Sequence, residues 1–186
     1  FLKTYYKEEF IAATMSTEMN NTDKLREFVE ELKRLKVNVV RPNINLCDSD
    51  FKTDTNKIFY GLSAIKNVGF EAITNIVNER KKNGSFKNIN DFIKRVDPKD
   101  VNKLQLEGLV KAGVFDEFDK NRNKIVTSIP KIIQQIKSIN EDKFNNQSNL
   151  FENNDSLSDN FTFLPSTPWK QKDLLSEEFK SLGFFI

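Results

Sequence analysis

The sequence predicts a mainly helical chain with a small β-hairpin, a tandem pair of helix-hairpin-helix units, a polar linker and a closing C-terminal helix. Three observations carry that expectation. Apolar residues recur at helical spacing over most of the chain. Two tight turns, Lys66-Asn67-Val68-Gly69 and Lys111-Ala112-Gly113-Val114, each follow one such segment and lead into another. The stretch from Asn140 to Asn160 is rich in Asn, Asp and Ser and poor in core-forming side chains.

In chain order, Phe1 to Met15 is apolar at Leu2, Tyr5, Tyr6, Phe10, Ile11 and Ala13. No capping residue precedes Phe1, so the chain is expected to begin inside a helix. Asn21, Thr22 or Asp23 can cap a second helix reaching about Lys36, with Leu25, Phe28, Val29, Leu32 and Leu35 on one face. Val37 to Val40 reads as a short strand ended by Pro42, and Asp50 to Tyr60 as a small hairpin around Asp54-Thr55-Asn56. Ile58 to Ile65 and Phe70 to Val77 are the expected arms of the first helix-hairpin-helix. Asn83-Gly84 breaks the chain, and Ile89 to Val96 forms a brief helix started by Asn88 or Asn90. Val101 to Val110 is the helix of the second unit, Phe115 to Phe118 opens the next segment, and a longer helix runs near Asn121 to Ile139. After the polar stretch, Pro165 and Pro168 hold Phe161 to Pro168 extended or turned. A last amphipathic helix, about Lys170 to Leu182, ends at Gly183, and Phe184-Phe185-Ile186 starts a new apolar segment. Both ends are expected to continue into something larger.

Composition narrows the chemistry. At 186 residues, 38% of them hydrophobic, the chain can form one large domain or two small ones. Its 17 Phe point to several small clusters closed by rings rather than one broad sheet. The single Cys47 excludes a disulfide framework and a thiolate zinc site, and the absence of His removes the commonest general base. A reducing cytoplasm fits. No run approaches the roughly 20 apolar residues that span a bilayer. Net charge is only +2, but residues 57 to 124 carry 14 basic against 9 acidic side chains, an excess absent from both flanks. That places the candidate basic face on the segment that holds both turns.

Gly69 is expected to adopt a positive φ and turn backbone N–H groups outward beside the second helix, a nest that holds a phosphate. Lys66, Asn67, Val68 and Gly69 would form it, with Arg80, Lys81 and Lys82 at the far end of that helix adding sequence-blind, salt-sensitive charge. Lys111, Ala112 and Gly113, with Arg122 just beyond, would form the second contact, so that paired turns grip both strands of a duplex. Plainer readings stand beside these. Gly can act only as a helix cap, a basic run can be a solvated helix end, and Asp116, Glu117 and Asp119 would repel a phosphate if they faced it. Trp169 either stacks a base or packs between linker and last helix. Within the polar stretch, Gln147-Ser148-Asn149-Leu150-Phe151 has the form of a short peptide docked on a bacterial sliding clamp, two apolar side chains entering a pocket while Gln147 fixes register. The same Leu150 and Phe151 could pack on their own domain. Asp48, Asp50 and Asp54 have a spacing that could hold two magnesium ions for phosphoryl transfer, or are solvated turn acids.

Taken together, Asn21-Thr22-Asp23-Lys24, Pro42-Asn43-Ile44-Asn45, Asp50-Phe51, Gly61 to Gly69, Phe86-Lys87, Asp91-Phe92, Asn102-Lys103 and Leu109 to Asp116 resemble, in order and spacing, the bacterial replicative DNA polymerase III alpha subunits, a C-family polymerase group. The resemblance covers essentially the whole chain, and Trp169 with Glu178 to Gly183 look like the lead into that family's oligonucleotide-binding domain. It implies four parts: 1–56 as the C-terminal part of the fingers region, 57–140 as a tandem helix-hairpin-helix DNA-binding domain, 141–168 as a flexible linker with a clamp-binding peptide, and 169–186 as a helix leading into an oligonucleotide-binding domain. It also implies a parent DNA-directed DNA polymerase, a nucleotidyltransferase whose Mg2+-binding palm aspartates lie N-terminal to this stretch. No catalytic residue, metal ligand or cofactor is then assigned to this segment. The implied partners are double-stranded primer-template DNA, the sliding clamp and other replicase subunits in the cytoplasm, with no membrane. A stand-alone helix-hairpin-helix scaffold or repair factor, and a nuclease acting through Asp48 and Asp50, are the competing classes.

Overall fold

The computed structural model describes the backbone of residues 7–148 and 161–186, and the side chains of all of these except 144–148. Seven α-helices surround a three-stranded sheet among the described residues. Helix α1 (Lys7–Thr17) buries Ile11, Ala12 and Met15. Helix α2 (Thr22–Arg34) starts where Asn21 accepts a hydrogen bond from the Lys24 N–H and buries Leu25, Val29 and Leu32. It ends as Lys36 enters the left-handed region at φ 57°.

Strands β1 (Asn38–Val40), β2 (Lys52–Asp54) and β3 (Lys57–Phe59) form a sheet of order β1-β3-β2. The expected hairpin is β2 and β3, antiparallel with Thr53 opposite Ile58, turned at Asn56 with φ 60°. The expected strand β1 pairs parallel to β3, Val39 opposite Ile58.

This sheet changes the reading of the first arm. Ile58 and Phe59 are strand, not helix, because β3 is the central strand with partners on both edges. What remains of the arm is one 3-10 turn, Leu62–Ala64, held from outside by Leu62 N–H to Asp48 O and Ser63 N–H to Ser49 O. A Cβ at Gly61 would meet the Phe51 amide at 2.9 Å, so only glycine lets the chain pass there.

Helix α3 (Phe70–Asn83) follows, then α4 (Ile89–Arg95), capped by Asn88, and α5 (Lys103–Lys111), capped by Asn102. Helix α6 (Arg122–Ser148) runs nine residues past Ile139, where the sequence predicts its end. Asn140 to Ser148 contains no Gly or Pro to stop propagation, and Lys143 Nζ bonds Lys94 O at 2.7 Å. The start of the expected linker is therefore helix. Its end is not a free linker either. Residues 161–168 are extended as the prolines require, but they run back along α6. Asn121 and Asn123 side chains bond Ser166 O and Thr167 O, Ser128 Oγ accepts from Leu164 N–H, and Lys131 bonds Thr162 O. Helix α7 (Gln171–Leu182) closes at Gly183, φ 84°.

One buried cluster runs from Ile11 to Phe184 and crosses the expected boundary near residue 56 without a break. Its aromatics form two rows, Phe86–Phe92–Phe115 and Phe51–Tyr60–Phe184, with edge-on contacts near 5 Å between successive rings except Tyr60–Phe184 at 6.3 Å. Among the described residues no helix is long and apolar enough to cross a membrane.

Candidate nucleic-acid interface

The first turn is exposed at Lys66, Asn67, Gly69 and Phe70 and anchored by buried Val68. Its left-handed residue is Asn67, at φ 64°. Gly69 sits at φ −77°, ψ 136°, extended backbone that any residue adopts, which corrects the expected positive φ at that glycine. Asn takes the left-handed region because its short polar side chain tolerates it. Two turn amides have internal acceptors: Lys66 N–H donates to Ser181 O at 3.0 Å and Val68 N–H to Ile65 O at 3.2 Å.

The opening of α3 is different. Ile73 makes the first helical bond, to Gly69 O, and no side chain caps the amides of Phe70, Glu71 and Ala72 before it. Helices α2, α4, α5 and α6 are all closed by an Asn side chain at this point. The positive end of α3 therefore faces solvent beside Lys66. Glu71 is the exposed acid of the same turn.

The basic run at the end of α3 divides. Arg80 is buried, its guanidinium bonded to Ile44 O and Cys47 O, each at 2.6 Å, and paired with Asp48. It holds the 44–48 loop and is not presented to a ligand. Lys81 reaches the same Asp48 at 2.9 Å, while Lys82 is exposed. Asp48 is buried, which would raise its pKa, but hydrogen bonds and charge from Lys52 and Lys81 outweigh this and lower it to about 2. Asp48 is already paired with three cations, Arg80 on one oxygen and Lys52 and Lys81 on the other, while Asp50 and Asp54 are exposed. Among the described residues no group of three acids, His or Cys could hold a metal ion.

The second turn uses its glycine as a left-handed residue: Gly113 has φ 84°. Its amides close inward, Ala112 N–H to Gly108 O, Gly113 N–H to Val110 O and Val114 N–H to Leu109 O. Ala112 is buried. The space a Cβ on Gly113 would need is filled by the Arg122 guanidinium. Arg122 is 5% exposed and bonds both Asp116 oxygens at 2.8 and 2.6 Å, Lys111 O at 2.8 Å and Glu178 of α7 at 2.9 Å. Burial lowers its pKa, yet the Asp116 and Glu178 carboxylates hold it above the ordinary value. Lys111 pairs with Glu177 at 2.9 Å and lies 4.0 Å from Glu107. Ala112, Gly113 and Arg122 are thus engaged internally, Lys111 stays at the rim beside Glu177, and the turn is a socket for α7.

The helix backbone includes Gln147 and Ser148, whose side chains are not described, and Asn149, Leu150 and Phe151 lie outside the described residues. Trp169 is half-buried next to the start of α7. Sequence reasoning missed Glu178, 4% exposed, and Lys180, which α7 carries to the first turn. The signal for Glu178 was present only as an acid on the apolar side of an amphipathic helix.

The helix-hairpin-helix motif family matches residues 36–125. The DNA polymerase III subunit alpha of Caulobacter vibrioides is 37% identical over 186 residues, 100% of this chain and 16% of that protein. That of Borreliella burgdorferi is 36% identical over 189 residues, again 100% and 16%, and that of Xylella fastidiosa 38% over 175 residues, 94% and 14%. The chain is homologous over its whole length to one segment of these alpha subunits and spans about a sixth of their length.

Proposed function

We propose that this homologue of one segment of DNA polymerase III alpha is a non-catalytic DNA-binding part of that polymerase, holding primer-template duplex by its phosphates. The observation that carries the reading is the uncapped, solvent-facing start of α3 behind the Lys66–Gly69 turn. Backbone amides and the helix dipole favour an anion there, and Lys66 adds mobile charge. Phosphate contact of this kind is indifferent to base sequence. The duplex is therefore gripped wherever the enzyme stands.

The chemistry of nucleotide transfer is assigned to Mg2+-binding aspartates elsewhere in the parent chain, since Asp48 is consumed by its own cations. Gln147 to Phe151 is assigned as the sliding-clamp peptide, supported by its sequence pattern of two large apolar residues in a polar stretch. Tethering raises effective concentration and keeps the polymerase near the primer end when DNA contacts release.

Fluorescence anisotropy with a labelled duplex tests the grip. Lys66→Glu is expected to weaken binding about ten-fold at low salt. Unchanged affinity removes the first turn as a phosphate site. Leu150→Ala with Phe151→Ala is expected to abolish clamp binding and spare duplex binding; equal clamp affinity in that variant removes the tether.

A further inference from the structure

Between the first turn, α5 and α7 lies a cleft of about 100 Å³ lined by Lys66, Asn67, Leu104, Lys111, Lys180 and Ser181. Three segments distant in sequence build it. It exists because α7 is seated: Lys66 N–H donates to Ser181 O, and a Cβ added to Gly183, just past α7, would stand 3.4 Å from Lys66 Nζ. We propose that this cleft is a subsite for one phosphodiester-sugar unit of a nucleic-acid backbone, with α7 supplying Lys180 as an essential cation and α5 supplying Leu104 against the sugar. This rests on the phosphate-binding reading of the first turn and extends it to a second wall.

Charge and shape support the assignment. Lys66, Lys111 and Lys180 bring three ammonium groups to the cleft. Glu107, which lines it, and Glu177, which bonds Lys111 at 2.9 Å and Lys180 at 2.5 Å, bring two carboxylates. The surplus is one positive charge, the complement of one phosphodiester. Glu177 also gathers the two lysines onto the same rim, where a single anion can reach both. Leu104 is 60% exposed at the mouth, an apolar side chain with no protein covering it on a rim of cations. A deoxyribose presents the apolar edge that such a side chain can cover, while the adjoining phosphate meets the lysines. A bare anion would leave Leu104 in water.

The two elements separate in a salt titration of duplex binding by the 186-residue chain, with thermal melting to confirm the fold. Both side chains are exposed, so neither variant threatens folding. Leu104→Ser is expected to weaken binding about five-fold without changing the dependence on log salt, because it removes apolar contact. Lys180→Gln is expected to flatten that dependence by about 0.9, the value of one phosphate contact. Inorganic phosphate, which lacks the sugar, is expected to compete equally against wild type and Leu104→Ser. Wild-type affinity and slope in both variants would overturn the subsite. If Lys66→Glu still loses affinity in that case, the first turn survives and only the cleft is wrong; if Lys66→Glu is silent as well, the phosphate reading fails with it.

Discussion

The two turns match at one step and differ in how they are closed and filled. Asn67-Val68 and Gly113-Val114 each place a left-handed residue before a buried valine, but the first is closed locally by one amide bond, Val68 to Ile65, and the second by three. After the first reversal a helix starts at once, its amides uncapped and its flank exposed. After the second, eight residues pass between Gly113 and the next helix, and Arg122 folds back into the concavity that the first turn leaves open. Asp116 and Glu178 satisfy that arginine, so the second turn holds α7 instead of an anion. A similar reversal thus leaves the start of the next helix open in one place and becomes a joint in the other, where a side chain plugs it. What separates them is both how the amides close and what occupies the concavity.

Breaking the joint should have the largest effect. Arg122→Ala leaves Glu178 buried without its near partner and is expected to cost about 3–5 kcal/mol in urea unfolding. The glycines sharpen the contrast. Gly113→Ala combines a strained left-handed φ with a collision against Arg122 and is expected to cost about 2–3 kcal/mol, whereas Gly69→Ala, extended and with only ordinary contacts near 3.9 Å, should stay within about 0.5 kcal/mol. A comparable loss at Gly69 would contradict the geometry of the first turn.

Asp48 gives a pH-dependent measure of the support behind α3. Its folded pKa is depressed from 3.8 to about 2, so the stability it contributes is fully present above pH ~4 and is lost as pH falls toward 2. That window is worth about 2 kcal/mol, and Asp48→Asn should lack this part of the acid limb in denaturation curves. The smallest effect is expected at Glu71. Removing an exposed acid beside the uncapped amides, Glu71→Gln should tighten duplex binding about two-fold at low salt. No change there would place the phosphates farther from the start of α3.

Much of this was legible in the chain. Asn21 and Asn88, each among the expected caps, announce helix starts because an amide oxygen shortly before an apolar stripe caps the first turn, and each does so; Asn102 caps a helix expected to start at Val101. Asp54-Thr55-Asn56 marked the hairpin. Two errors have physical causes. Ile58 to Ile65 has a spacing that fits helix, but Ile58 and Phe59 are claimed by strands on both sides, a tertiary preference that local periodicity does not contain. Arg80, Lys111 and Arg122 look like a DNA-binding series because sequence shows charge without showing partners. Asp48 and Glu178, 32 and 56 residues away from the arginines they neutralise, took two of the three out of that series.

The sequence by itself determined that the chain is mainly helical, that two reversals occur at residues 66–69 and 111–114, and that basic charge gathers between residues 57 and 124, because caps, turn residues and composition act locally. Only the tertiary structure decided which reversal remains open. That choice depends on Arg122 folding back on the turn just before it and on Glu178 and Ser181 meeting turns far from them in the chain, and the distant meetings follow from how α7 packs, which no local pattern encodes.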